Sequence, residues 1–318
     1  MKKIIPLFIF LLSFIPCFCQ ELQQVPHCPS NEIYDMMIDK KGFLWIAHSL
    51  GVSRYDGISF KSFSNPAQSA VGATGLLEDD YGRIWFSNFN GQVFYIKDEK
   101  MVQLKEYDFK SSYTFPHMVL LGKDLVISCK TGLFICNTAN MHCEYKTGDN
   151  KHPILWKSYS LGVLKNKLLV NADDFWYTYN NKEGFHKLRF AEVPIKSQSR
   201  LANIQTKHLD NTCFVLDSSG HILYGLSNAN DKITLSTKIN ARGFINTISI
   251  IGNKVWINTF LKSYAISSKD SISNYNLSSI VADKNGNTWY GSLSDGLWVS
   301  YKSNDWKKNM PIITNMIT

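Results

Sequence analysis

Short apolar stretches of strand length alternate along the chain with polar turns that contain glycine or aspartate. The clearest stretches cover residues 33–38, 74–77 and 279–282, and each precedes a copy of the pattern D-x-x-G-x-x-W. A polar turn and a second aromatic stretch follow each copy. No long segment shows the 3.6-residue period of an amphipathic helix. The pattern therefore predicts an all-β protein with almost no helix.

The D-x-x-G-x-x-W pattern combines an acid, a glycine and a tryptophan, each with a structural use. An aspartate can accept hydrogen bonds from turn amides, and a glycine can supply the positive φ of a tight turn. A tryptophan that opens the next strand supplies apolar surface between sheets. Weaker copies without the acid occur between residues 125 and 266. The repeat-motif residues are Asp39, Gly42, Trp45, Asp79, Gly82, Trp85, Trp256, Asp283, Gly286 and Trp289.

The repeats have a regular period. Equivalent strand positions are separated by 40, 41, 43, 45, 42 and 33 residues, which defines seven units. A period near 40 to 45 residues with four short strands per unit is typical of a β-propeller blade. One four-stranded sheet cannot bury both of its faces alone, whereas sheets around an axis bury face against face. We predict a seven-bladed β-propeller with four-stranded antiparallel blades. The equivalent positions are Trp45, Trp85, Val126, Leu169, Phe214, Trp256 and Trp289.

The N-terminus has the features of a secretory signal peptide. Lys2 and Lys3 precede an apolar run that is too short to span a membrane comfortably, and small residues precede Gln20. We expect a signal peptide at 1–19, periplasmic or secreted localisation, and no membrane span after cleavage. A lipid anchor at Cys17 is the alternative.

The remaining chain divides into three parts by pattern. Residues 20–32 form a leader that could supply a ring-closing strand, residues 33–310 form the propeller, and residues 311–318 resemble the start of a further repeat. The segment 306–310 looks like the outer strand of the seventh blade. Closure of the ring by the leader or by the tail is left open, as is the choice between a free-standing propeller and a truncated sensor.

Composition excludes some classes of function. Charged residues make up only 19% of the chain, so wholesale disorder is excluded. The net charge of +8 permits an anionic partner, but the basic residues are spread out, so we expect no nucleic acid. Five cysteines follow the signal peptide, without metal-ligand spacing, and we interpret Cys129, Cys136 and Cys213 as small buried side chains. We expect no metal and no cofactor.

Residues 39–56 read D-x-x-G-x-L-W-I-x-x-x-x-G-V-x-R-Y-D and closely resemble the two-component-regulator propeller repeat. That repeat builds the periplasmic sensor half of hybrid two-component systems and related sensor histidine kinases. The resemblance implies a ligand-binding sensor domain, for which oligosaccharides are common ligands. It also implies a membrane sensor kinase or a second propeller as partner.

No catalytic pattern of a hydrolase, metalloprotease or nucleotide-binding enzyme occurs in the sequence. We therefore expect a non-catalytic protein; an exported lyase or glycosidase acting on polysaccharide is the alternative. In propellers, the loops that join strands two and three and those that join successive blades meet at one end of the channel. Their aromatic, amide and cationic side chains would suit a sugar. The candidate ligand-binding residues are His48, Asn88, Lys130, Trp156, Arg200, Arg242, Phe260 and Lys262.

Overall fold

The computed structural model describes residues 22–146, 158–172, 175–188, 200–201, 212–216, 219–229, 232–260, 262–266 and 268–302. Its strands form seven four-stranded antiparallel sheets, which confirms the predicted seven-bladed propeller. The one helical element within these ranges is a 3₁₀ turn at Phe109–Ser111.

The sheets follow one another along the chain as blades, each with strands A to D from the channel outward. Blade 1 contains β2 (Ile33–Ile38), β3 (Leu44–His48), β4 (Gly51–Tyr55) and β5 (Phe60–Phe63). Blade 2 contains β6 (Ala73–Glu78), β7 (Ile84–Asn88), β8 (Val93–Lys97) and β9 (Lys100–Gln103). Blade 3 contains β10 (Met118–Leu121), β11 (Asp124–Cys129), β12 (Gly132–Asn137) and β13 (His142–Lys146).

The next two blades have the same order. Blade 4 contains β14 (Ser158–Leu164), β15 (Lys167–Ala172), β16 (Phe175–Asn180) and β17 (Gly184–Lys187). Blade 5 contains β18 (Arg200–Leu201), β19 (Thr212–Leu216), β20 (Ile222–Ala229) and β21 (Lys232–Asn240).

The last two blades complete the ring. Blade 6 contains β22 (Thr247–Ile251), β23 (Lys254–Asn258), β24 (Lys262–Ala265) and β25 (Ser271–Ser273). Blade 7 contains β26 (Leu277–Ala282), β27 (Thr288–Ser292), β28 (Leu297–Ser300) and, as strand D, β1 (Gln23–Gln24) from the leader. All seven equivalent positions of the repeat lie on strand B of their blades.

The leader joins the start of the chain to the last blade. Gln23 pairs with Val299 and Gln24 with Trp298, and Val25 N donates to Leu297 O at 2.8 Å. The position assigned from the sequence to residues 306–310 is thus occupied by β1, while 306–310 themselves lie outside the described residues. Strand D of blade 7 therefore precedes blade 1 in the chain, and this pairing ties the ring together.

The hydrophobic core consists of seven clusters, one in each gap between neighbouring blades. The first gap, for example, holds Trp45 and Phe63 of blade 1 against Phe86 and Phe94 of blade 2. The cluster between blades 7 and 1 contains Trp289 and also Val25 from the leader. A cluster in every gap shows that the ring is closed, because an open ring would leave one apolar sheet face uncovered.

Cys136 and Cys143 form a disulfide in blade 3. They face each other in the register of β12 and β13. Cys136 is buried, as the sequence analysis expected, but its pairing was not anticipated. Cys129 and Cys213 are buried cysteines outside this disulfide, and Cys28 is a half-buried one.

Candidate functional site

The D-x-x-G-x-x-W motif is a structural turn between strands A and B. Oδ1 of Asp39 accepts the backbone N–H of Phe43 at 2.8 Å, and its Oδ2 accepts the indole Nε1 of Trp45 at 2.8 Å. Gly42 closes the turn with a φ of +94°, and its N–H donates to the Asp39 carbonyl. Asp79 and Asp283 accept the same kinds of bond. The aspartates of the motif therefore have a structural role within the turn, and candidate ligand-binding residues must be sought elsewhere.

The two ends of the propeller differ in polarity. We call the end with the B–C loops and the blade-to-blade connections the upper face, and the end with the A–B and C–D turns the lower face. Nine large hydrophobic side chains are exposed in the described part of the chain, and five of them lie on upper-face loops. These five are Leu50, Val71, Phe115, Phe244 and Phe260.

The lower face is dominated by ion pairs between turns. Lys40 Nζ lies 3.0 Å from Asp80 Oδ1, and Lys254 Nζ lies 2.5 Å from Asp270 Oδ2. Such exposed pairs keep a surface solvated and contribute little stability. Exposed apolar surface that remains in contact with water often marks a binding site, so the upper face is the better candidate.

A cavity of about 600 Å³ occupies the central channel. Its walls are the A strands and adjoining residues of blades 1, 2, 3, 6 and 7. Side chains link neighbouring A strands around it: Asp35 Oδ2 accepts Leu76 N at 2.8 Å, and His117 Nδ1 accepts Leu161 N at 3.2 Å. Ser278 Oγ donates to the Ile33 carbonyl at 2.5 Å. These links fix the channel wall from blade to blade.

Among the described residues of the cavity wall, two ionisable groups occur besides the Tyr34 phenol. Burial raises the pKa of Asp35 to about 6, although backbone N–H groups of Leu76, Met36 and Gly75 donate to its carboxylate and lower it. Burial lowers the pKa of His117 to about 4, so its imidazole is neutral at pH 7. No lysine or arginine belongs to the described lining. Around neutral pH the wall therefore carries a negative charge at Asp35.

Three aromatic rings meet at the upper end of this channel. The ring centroids of Tyr34 and Phe89 are 4.8 Å apart, and those of Phe89 and Phe115 are 5.1 Å apart. The Tyr34 hydroxyl donates to Glu32 Oε2 at 2.6 Å. Phe115 is 59% exposed and also lines the cavity. We call Glu32, Tyr34, Phe89 and Phe115 the aromatic mouth.

Glycine shapes the mouth. Gly91 has a φ of +83°, and a Cβ there would lie 2.3 Å from the carbonyl oxygen of Tyr113. The loop after β7 therefore packs directly on the backbone that leads to Phe115. A larger residue at position 91 would separate the two loops that present Phe89 and Phe115.

Two of the residues predicted for ligand binding are buried and bonded within the protein. His48 Nδ1 accepts Leu50 N at 3.2 Å, and its Nε2 lies 2.9 Å from Ser53 Oγ. Asn88 Nδ2 donates to Ala70 O and to Gln92 Oε1, at 2.9 and 2.7 Å. Burial lowers the pKa of His48 to about 4. Both side chains hold the upper loops in shape.

Three others lie together on the opposite side of the upper face. Arg242 and Lys262 are exposed, and Phe260 is 60% exposed. Their loops are adjacent, because a Cβ on Gly243 would lie 3.5 Å from Thr259. Lys130 is exposed in the B–C turn of blade 3. Trp156 and the side chain of Arg200 lie outside the described part of the structure.

The sequence analysis did not select the residues of the aromatic mouth. Tyr34 and Asp35 lie in an otherwise apolar strand, where the register with β3 shifts between Ile33 and Asp35. A carboxylate within such a strand is the signal that could have marked the channel. Phe115 lies in a connection of 14 residues between β9 and β10, whose fold the sequence pattern does not define.

The described residues contain no group of three or more metal-ligand side chains that could hold an ion. Within the same residues, no helix is long and apolar enough to cross a membrane.

Comparison with known families identifies the repeat. Residues 29–49 match the family model described as "Two component regulator propeller". The chain carries a two-component-regulator propeller repeat. The match covers β2, β3 and the first D-x-x-G-x-x-W turn, where the sequence analysis found the resemblance. A search of curated proteins by sequence found no match.

Solved structures include extracellular domains of two component systems with the same fold. The extracellular domain of the hybrid two component system BT4673 from B. thetaiotaomicron aligns with a TM-score of 0.61 and 19% identity, covering 85% of this chain and 38% of that one. The corresponding domain of BT3049 from the same organism aligns with a TM-score of 0.63 and 16% identity, covering 87% of this chain and 41% of that one. The chain therefore spans about two-fifths of the length of these extracellular domains.

An enzyme also shares the fold. Virginiamycin B lyase from Staphylococcus aureus aligns with a TM-score of 0.65 and 12% identity, covering 88% of this chain and 98% of that one. At this identity the likeness shows a common propeller and not a common activity.

Proposed function

We propose that this protein is an exported, non-catalytic propeller that binds an oligosaccharide at the aromatic mouth and serves as the ligand-binding part of a two-component-type sensor. The observation that carries the proposal is the cluster of Tyr34, Phe89 and Phe115 above an open cavity of about 600 Å³. Sugar rings present C–H faces that pack on flat aromatic side chains, and their hydroxyls need polar partners nearby.

The sensor part of the proposal is supported by the repeat at residues 29–49 and by the extracellular sensor domains that share the fold. The signal-peptide pattern of residues 1–19 supports export to the periplasm or beyond. Signal output requires a partner, for which we propose a membrane sensor kinase or a second propeller.

A lyase or glycosidase that acts on polysaccharide is the second candidate. It is favoured by the lyase that matches this chain over nearly its whole length. His117 and Asp35 are the acid–base groups of the described channel wall. Both accept hydrogen bonds from neighbouring backbone N–H groups, which suits a structural link better than proton transfer.

A titration of the mature chain, residues 20–318, against neutral, amino and acidic oligosaccharides tests the proposal. We expect at least one of them to bind, and we expect Phe115→Ala to weaken its binding about fivefold, because an aromatic contact contributes on the order of 1 kcal/mol. Phe260→Ala is the matched control, since Phe260 is equally exposed on the same face but lies outside the mouth. Absence of binding across the panel, or equal losses in both variants, would contradict the proposal.

Incubation of each oligosaccharide with the protein separates the two candidates. The sensor proposal predicts that every bound oligosaccharide is recovered intact. Products with a new carbon–carbon double bond would indicate a lyase, and shorter sugars with new reducing ends would indicate a glycosidase.

A further inference from the structure

The charge of the channel and its mouth limits the ligands they can hold. In the described residues of the cavity wall, Asp35 is an acid and no side chain is a strong base. A second carboxylate, Glu32, is the exposed acid of the aromatic mouth and accepts a hydrogen bond from Tyr34. This local acidity stands out in a chain with a net charge of +8.

The Tyr34 phenol strengthens the attraction of the mouth for cations. Burial and the hydrogen bond to Glu32 raise the pKa of Tyr34 to about 12, so the hydroxyl stays protonated and donates a hydrogen bond to the carboxylate. The Glu32 carboxylate is thereby held beside the rings of Tyr34 and Phe89 instead of extending into solvent. The faces of aromatic rings attract cations, and a nearby carboxylate adds to that attraction.

The basic side chains of the upper face lie outside the described cavity wall. Arg242 and Lys262 belong to loops around blade 6, and Lys130 lies in the B–C turn of blade 3. The connection into blade 3 that presents Phe115 also contains the exposed Lys105 and Lys110, neither of which lines the cavity. An anionic sugar at the mouth would face Glu32 and Asp35 without a described base in the cavity wall. Like charges at close range oppose binding.

We infer that the aromatic mouth selects a ligand bearing a positively charged amine, which for an oligosaccharide means an amino sugar with a free ammonium group. The ammonium group lies against the rings of Tyr34, Phe89 and Phe115 and pairs with Glu32 at the rim, and Asp35 adds negative potential from below. This inference rests on the proposed function and narrows its ligand class.

The test compares two tetramers of one backbone that differ in charge, and adds an acidic tetramer of a different sugar. The mature chain is titrated with a glucosamine tetramer, the N-acetylglucosamine tetramer of the same linkage, and a galacturonate tetramer at one pH and ionic strength. We expect the glucosamine tetramer to bind at least tenfold more tightly than the acetylated one, and the galacturonate tetramer to bind most weakly. Raised salt should weaken binding of the charged glucosamine tetramer and leave binding of the N-acetylglucosamine tetramer nearly unchanged.

Variants then assign the selectivity to the mouth. Glu32→Gln retains an acceptor for the Tyr34 hydroxyl and removes the charge, so we expect the preference for the charged tetramer to fall about fivefold. Glu106→Gln is the matched control, because Glu106 is an exposed carboxylate in the connection that leads to Phe115. We expect Glu106→Gln to retain the full preference for the charged tetramer. We expect Phe115→Ala to weaken the binding of both glucosamine-based tetramers.

Four results would overturn the inference. Equal binding of the charged and acetylated tetramers, or tighter binding of galacturonate, would refute the charge selection while the oligosaccharide proposal stands. The same loss in Glu32→Gln and Glu106→Gln would show a general field effect instead of a site. Absence of binding by every glycan tested would refute both proposals together.

Discussion

The indole Nε1 of Trp85 lies 2.7 Å from Oδ2 of Asp79, six residues earlier, and donates a hydrogen bond to it. The same bond joins Trp45 to Asp39 and Trp289 to Asp283, at 2.8 and 3.1 Å. The bond explains the fixed spacing of the repeat, because the turn must return the tryptophan to its own acid. It also satisfies the indole N–H where the ring packs between blades.

Asp79→Ala should be among the most destabilising single changes in the chain. Asp79 Oδ2 also accepts Arg83 Nε at 2.6 Å, and both side chains are buried. Removing the acid leaves a buried guanidinium and the Trp85 indole without this acceptor. We expect a loss of about 3–5 kcal/mol, since breaking a buried pair leaves an uncompensated charge.

Its neighbour Asp80 is the control. The Asp80–Lys40 pair is exposed, so Asp80→Ala should change stability by about 0.5 kcal/mol or less. Urea unfolding followed by tryptophan fluorescence compares the two variants. Equal effects would contradict the role assigned to Asp79.

Deletion of the leader up to Val25 should open the ring. The variant loses the β1–β28 pairing and the buried Val25 side chain, and it exposes the edge of β28. Exposed strand edges favour association with other chains. We expect a lower unfolding midpoint and increased self-association by light scattering, whereas Gln24→Ala, which removes one exposed side-chain bond, should behave like the parent chain.

Gly91→Ala should disturb the mouth more than an ordinary glycine substitution. The new methyl group would overlap the Tyr113 carbonyl, in addition to the cost of a positive φ. Gly82→Ala is matched, because Gly82 has a φ of +71° and no atom within 4 Å of the added Cβ. We expect Gly82→Ala to cost about 1 kcal/mol and Gly91→Ala to cost more and to weaken ligand binding. A Gly91→Ala variant with unchanged binding would contradict the tight loop packing.

Stability should fall as the pH is lowered from about 6.5 to 4. Burial lowers the pKa values of His48 and His117 from 6.5 to about 4, so each stabilises the fold fully above pH 6.5 and loses that contribution toward pH 4. Each contribution is on the order of 3 kcal/mol. The raised pKa of Asp35 acts in the opposite direction, because its protonation below about pH 6 relieves a buried charge.

Asp35→Asn should therefore steepen the loss of stability between pH 6 and pH 4. The substitution removes the compensating protonation and leaves both histidines in place. Urea midpoints at pH 7, 5.5 and 4 provide the slope for each protein. A slope equal to that of the parent would show that Asp35 does not titrate in this range.

The propeller could be predicted from the sequence because its determinants are local and repeated. The turn that contains Asp79, Gly82 and Trp85 recurs in blades 1 and 7, and the weaker copies between residues 125 and 266 keep the period of strand B, so the repeat indicates the number of blades. Strand D of blade 7 depends on pairing between Gln23 and Val299, which no local pattern encodes.

From the sequence, the candidate site could be assigned only to the upper face of the propeller, and not to particular residues. Loop polarity indicated the upper end of the channel, and the structure places Phe260 and Arg242 there. The polarity of the loop sequences did not show that the Asn88 side chain is enclosed by its own loop. The meeting of Tyr34, Phe89 and Phe115 depends on how three separate segments pack, and such long-range contacts leave no periodic trace in the sequence.

Hydrogen–deuterium exchange with and without the tightest-binding glycan of the panel tests the location of the site most directly. The account predicts added protection at residues 32–36, 88–91 and 113–118, which form the mouth and its loops, and little change at residues 242–262. Protection confined to residues 242–262, or spread evenly over the blades, would contradict binding at the aromatic mouth.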